Sequence, residues 1–272
     1  MALVFTAQWF SLGRMRCSPL NAALCNFIRS LTLILPPDLR AIGYDSIPVI
    51  AKLNDIGYIH HEDHIQPVYP WSEVRDILEY ISCVEYSKSR LLNLPTGKLL
   101  GSIHVTPARH DSASLVFFAQ ATLDNLAVWL NGVFDLGLKG NNVSFYKNQI
   151  KPKLNNEHND FNMVLDDYAD FIQKLNSYRM EWLHRVSGGA QIYSDKNPSD
   201  PAAEISIQVP IDPEIPSLVS DPKKYLKRIQ KVRSKNGGKW LMPIDEFACY
   251  IHGNTKDLVI KLLDVTVTTK VA

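Results

Sequence analysis

EHNDFNMVLDDYADFIQKLNSYRMEWLHRV, residues 157–186, decides how the rest of the chain is read. Phe161, Val164, Leu165, Tyr168, Phe171, Ile172 and Leu175 recur every three or four positions, while Asp166, Asp167, Asp170 and Lys174 fall mostly on the opposite side. Apolar residues at that period form one face of a packed helix. A single long helix is therefore expected over 157–186, closed by Gly188-Gly189. A second helix is expected upstream, over 112–135, where SASLVFFAQATLDNLAVWLNGVF is apolar on most faces and belongs deep in a core. Asp111 or Ser112 is its expected cap, and Gly137 and Gly140 end the segment. Trp129 and Trp182 are expected core or interface aromatics.

Working outward, Val74, Ile77, Leu78, Ile81 and Val84 predict a helix over 72–93, with Ser72 as N-cap and Glu73 and Asp76 in the first turn. KLLGSIHVT, 98–106, reads as a short strand ended by Pro107. Nearer the N-terminus a helix is expected over 19–35, stopped by Pro36-Pro37, followed by a loop-rich stretch over 36–70 with a short helix at 46–56. Past residue 188 the composition shifts, with six prolines within 188–222 and one strand candidate at 204–211. A basic helix over 221–235, a helix over 243–264 broken at Gly253, and a terminal strand VTVTT at 265–269 complete the reading. The chain is thus expected to be mainly α with a small strand component. It divides into an N-terminal extension (1–70), a helical bundle (71–190) and a C-terminal α/β extension (191–272).

Composition bounds the function. The 272 residues carry 29 Lys and Arg against 28 Asp and Glu, with 46% hydrophobic and 21% charged residues. That balance is ordinary for a soluble globular protein and unlike one that coats duplex nucleic acid. The four cysteines, Cys17, Cys25, Cys83 and Cys249, form no C-x-x-C, so a zinc ribbon or redox pair is unsupported. The N-terminus runs from apolar to basic, the reverse of a secretory signal, and LTLIL (31–35) is far short of a membrane span. A cytoplasmic protein without membrane contact is expected.

Several motifs carry chemistry on paper. His60, His61, Glu62, Asp63 and His64 are metal-ligand types, but Pro67 and Pro70 follow and no distant ligand completes a set, so a solvated loop is the expected reading and no metal site is assigned. LPTGKLLGS (94–102) lacks the full phosphate-loop pattern. The basic helix at 223–235 is either a solvated surface or a phosphate contact with Tyr225 available for stacking. The segment Tyr178-Arg179-Met180-Glu181-Trp182-Leu183-His184-Arg185 is the sharpest candidate. A histidine can move a proton at a ribose 2′-hydroxyl, and an arginine can hold the phosphate as charge builds, with no cofactor. Five residues along a regular helix set the pair about 140° apart, a constraint that a symmetric dimer relieves. The bland reading pairs Arg179 with an acid such as Asp124 or Glu181 and leaves His184 near the helix C-terminus.

This segment resembles the R-x4-6-H motif of the HEPN superfamily, which includes RNA-cleaving toxins and antiviral defence proteins. The long helix bearing Leu123-Asp124-Asn125-Leu126-Ala127, then a loop, then a second long helix ending in Ser177-Tyr178-Arg179 and His184-Arg185, is similar to the HEPN helical bundle over about residues 72–190. The resemblance implies a metal-independent endoribonuclease acting on RNA, tRNA being one candidate substrate, as a homodimer and with a regulatory or antitoxin partner. Arg179 and His184 would be catalytic, and Tyr178 and Arg185 would bind substrate. Met180 stands where many active members carry a polar residue. The alternative is a HEPN-like interaction or dimerisation module without catalysis. A weaker reading is a ligand-sensing helical domain whose Arg179 binds a phosphate.

Overall fold

The computed structural model describes residues 71–95, 97, 102–147, 149–154, 159–184, 189–197 and 203–271. The expected helices over 19–35 and 46–56, and the His60–His64 cluster, lie outside the described residues.

Helix α1, Trp71–Leu92, matches the expected span and already includes Ser72, so Ser72 is not its cap. Ile77, Ile81, Val84 and Leu91 turn into the core. Helix α2, Ser102–Val133, packs more extensively on α1 than any other pair of elements packs. It starts well before the expected 112 and replaces the strand expected at 98–106 from Ser102 onward. Pro107 sits inside it, although an interior proline removes a backbone hydrogen bond. Tertiary contacts hold this first part: Arg109 Nε donates to Ala190 O at 2.9 Å, and Arg90 Nε of α1 donates to Asp111 Oδ2 at 2.8 Å. Asp111 and Ser112 are therefore buried mid-helix residues rather than caps; the Ser112 hydroxyl donates to Ala108 O at 2.6 Å. The helix ends where Asp135 and Gly137 take positive φ angles of 46° and 66°.

A short helix α3, Ile150–Leu154, occupies part of the loop expected around Pro152. The single helix expected over 157–186 is two, α4 (Asn159–Asp167) and α5 (Ala169–His184), interrupted at Tyr168. Hydrogen bonds run on across the break, from Tyr168 N to Val164 O and from Ile172 N to Tyr168 O. The apolar spacing is unbroken there, which is why periodicity does not reveal it. The Tyr168 ring instead takes the Lys261 ammonium at 4.9 Å.

Strands β1 (Gln191–Ser194), β2 (Ile205–Pro210) and β3 (Leu241–Pro243) form an antiparallel sheet in that order, Ile192 opposite Ile207 and Val209 opposite Met242. Only β2 was legible as a strand. Gly189 lies so close beneath β2 that a Cβ there would meet Pro210 Cδ at 2.8 Å and the Trp182 ring at 3.1 Å. Helix α6, Pro222–Lys235, is the expected basic helix, capped by Asp221, whose side chain accepts from Lys224 N. Helix α7, Ile244–Val271, runs unbroken past Gly253 and takes in the expected strand at 265–269. Its β-branched threonines are accommodated by back-bonding: Thr266 Oγ1 donates to Leu262 O and Thr268 Oγ1 to Asp264 O.

One hydrophobic core joins α1, α2, α4, α5, β2 and α7, from Ile77 to Leu263, and includes Trp129 and Trp182. A second, small cluster of Ile215, Ile229 and Val232 seats α6. The fold is mainly helical with a small antiparallel sheet. Among the described residues, one stretch, Ile103–Val133, is long and apolar enough to cross a membrane; 56% of its most apolar window is buried inside the protein, as in a core helix.

Candidate functional site

Helix α5 carries the candidate motif, and its two sides differ. Phe171, Leu175, Tyr178 and Trp182 form the buried side. Tyr178 has no exposed surface; it meets Trp182 and Phe247 edge-on at ring distances of 4.8 and 5.2 Å. Its hydroxyl lies 2.9 Å from Pro210 O and 2.8 Å from Ile211 O and donates into that pair of carbonyls. Burial holds the phenol well above its ordinary pKa, and it stays neutral. Tyr178 is thus a core anchor tying α5 to the end of β2, and the substrate contact expected of it is not open to it. Its spacing from Phe171, Leu175 and Trp182 was the signal that it belongs to the core face.

Arg179 lies half-buried at the margin of that face. Its charge acts on Asp124 of α2, whose carboxyl is pushed above the usual range by burial, against the opposing pull of a hydrogen bond from Gln120 at 2.9 Å and of Arg179 itself. Among the described residues, Arg179 makes no hydrogen bond or close ion pair. The backbone remains helical as far as His184. Regular helix geometry therefore keeps Arg179 and His184 about 140° apart around α5. The His184 side chain and Arg185 lie outside what is described. Met180 is 42% exposed, next to Arg179.

At the margin of the buried face away from Arg179, a groove of about 400 Å³ opens between Lys174 and Ser177, the 211–214 loop, and α6 with the Asn236 that follows it. Arg228 spans the groove wall: Nε donates to Asp212 Oδ2 at 2.6 Å and Nη2 to Glu214 Oε2 at 3.0 Å. Lys174 is held over the rings of Tyr250 and Tyr178 at 5.0 and 6.0 Å, and burial lowers its pKa while Asp212 opposes that shift. Lys231 and Lys235 line the same groove and make no ion pair among the described residues. The basic run of α6 was legible; its juxtaposition with Lys174 was not, because some fifty residues separate them and only the fold brings them together.

Among the described residues, no group of three His, Cys, Asp or Glu side chains is placed to hold a metal ion. No protein family matches this chain, and no curated protein or solved structure resembles it significantly.

Proposed function

We propose that this chain is a metal-independent endoribonuclease of the HEPN type, working as a homodimer. The observation that carries the reading is Arg179: a half-buried guanidinium on a core helix whose charge acts on Asp124, yet which makes no hydrogen bond among the described residues. Its N–H donors remain available to a phosphate. In the proposed reaction the ribose 2′-hydroxyl attacks the adjacent phosphorus and the bond to the 5′-oxygen breaks. One His184 takes the 2′-hydroxyl proton, and the His184 of the second copy returns a proton to the leaving oxygen. Arg179 stabilises the charge on the phosphorane. The products are a 2′,3′-cyclic phosphate and a 5′-hydroxyl. The divergence of Arg179 and His184 around α5 calls for a second copy to complete each site. Arg179→Ala and His184→Ala are each expected to abolish RNA cleavage while leaving the thermal unfolding temperature nearly unchanged. Cleavage retained in both variants would end this reading.

The same divergence, with the apolar Met180 exposed beside Arg179, favours a second reading: a non-catalytic helical module that assembles with a partner. Under it, Arg179→Ala alters the mass of the complex in solution and leaves RNA untouched.

A further inference from the structure

We propose that the groove between α5, the 211–214 loop and α6 is a binding site for a phosphate-bearing ligand of nucleotide size. The inference stands on the groove's own geometry and does not depend on whether Arg179 and His184 cleave RNA. Three observations support it. The first is charge: Lys174, Arg228, Lys231 and Lys235 line the groove against the two carboxylates of Asp212 and Glu214. Those two carboxylates are both engaged by Arg228, so the lining holds three further cations, Lys174, Lys231 and Lys235, in excess of its acids. The second is the mixed lining. Half-buried Ile211 gives the groove an apolar edge beside its cations, over the buried Pro213 and Val232, suited to a ligand with an apolar part and an anionic end. The volume of about 400 Å³ lies in the usual range for small-ligand sites. The third is Lys174. It is partly desolvated above Tyr178 and Tyr250, where a cation gains more from an incoming anion than it would in open water.

The phosphate has two possible sources, a free nucleotide or a phosphodiester within RNA, and the test separates them. The full-length protein is titrated with adenosine monophosphate and with a short 2′-O-methyl oligoadenylate, which resists 2′-hydroxyl cleavage, by calorimetry at low and moderate salt. At least one probe is expected to bind, more weakly as salt rises. Binding of the mononucleotide assigns the free nucleotide as ligand; binding of the oligonucleotide alone assigns RNA. Lys231→Glu with Lys235→Glu, both at exposed positions, is expected to weaken binding about tenfold or more. Lys174→Gln is expected to weaken it by a similar factor. Lys223→Glu with Arg233→Glu, exposed on α6 but outside the groove lining, is expected to change it less than about threefold at moderate salt. His184→Ala is expected to leave binding intact, which separates this site from the cleavage reading. Failure of both probes to bind would overturn the proposal. So would equal weakening by the groove pair and the outside pair, which would make binding a diffuse property of a basic helix.

Discussion

The two hydrophobic clusters among the described residues hold two different things. The large one fixes α5 through residues without exposed surface, such as Leu175 and Tyr178, packed against Phe247 of α7. The small one seats α6 with Ile215, Ile229 and Val232, and with Ile211, Tyr225 and Trp240 partly covering them. One wall of the cationic groove is therefore built on the main core and the other on a few side chains. Elements with few buried contacts open at lower free energy than the core. The scaffold of the candidate motif is deep, and the adjustable wall of the groove is α6.

Three substitutions break or sharpen that contrast. The largest effect is expected from Phe247→Ala, which empties space against both Tyr178 and Trp182. Truncating a buried phenylalanine typically costs about 3–5 kcal/mol, and denaturant unfolding should show that loss as a shift of the whole transition. A loss below about 1 kcal/mol would mean the large cluster is not the cooperative unit described here. Next comes Ile229→Ala, with an expected loss of about 2 kcal/mol confined mainly to α6. Hydrogen exchange should accelerate in Pro222–Lys235 more than in α5. Equal acceleration in both would merge the two clusters into one unit.

The smallest effect concerns Asp124. Burial holds its carboxyl above the usual range, so the folded protein keeps this proton to higher pH than the unfolded chain does. Between those two values the folded state binds more protons, and stability falls as pH rises. Asp124→Asn removes that component. Its melting temperature should vary less with pH across the acidic range, with a small gain at neutral pH. Identical profiles for wild type and variant would show that Asp124 is not desolvated against α5.

Legibility from sequence followed the reach of the forces involved. Helix α1 and the body of α2 were legible because Ile77, Ile81 and Val84, or Leu115 through Leu130, declare a buried face within a few turns. The segment around Pro107 was misread because its alternation and its proline are local signals, while Arg109 and Asp111 are held by residues distant in the chain. VTVTT has strand-like composition, yet Thr266 and Thr268 satisfy their hydroxyls on the preceding helical turn. Strands β1 and β3 are too short to show a period and exist through their pairing with β2. At the site, the Arg179–His184 spacing is visible in any printed sequence. The burial of Tyr178 against Phe247 and the meeting of Lys174 with α6 arise only on folding.

The most direct test of the ribonuclease reading is incubation of purified wild type and His184→Ala with total RNA and with transfer RNA in the presence of EDTA, read on a denaturing gel with the new 3′ ends characterised. The account predicts cleavage by wild type alone, leaving 2′,3′-cyclic phosphate ends. Equal cleavage by His184→Ala, or intact RNA in both lanes, would contradict it.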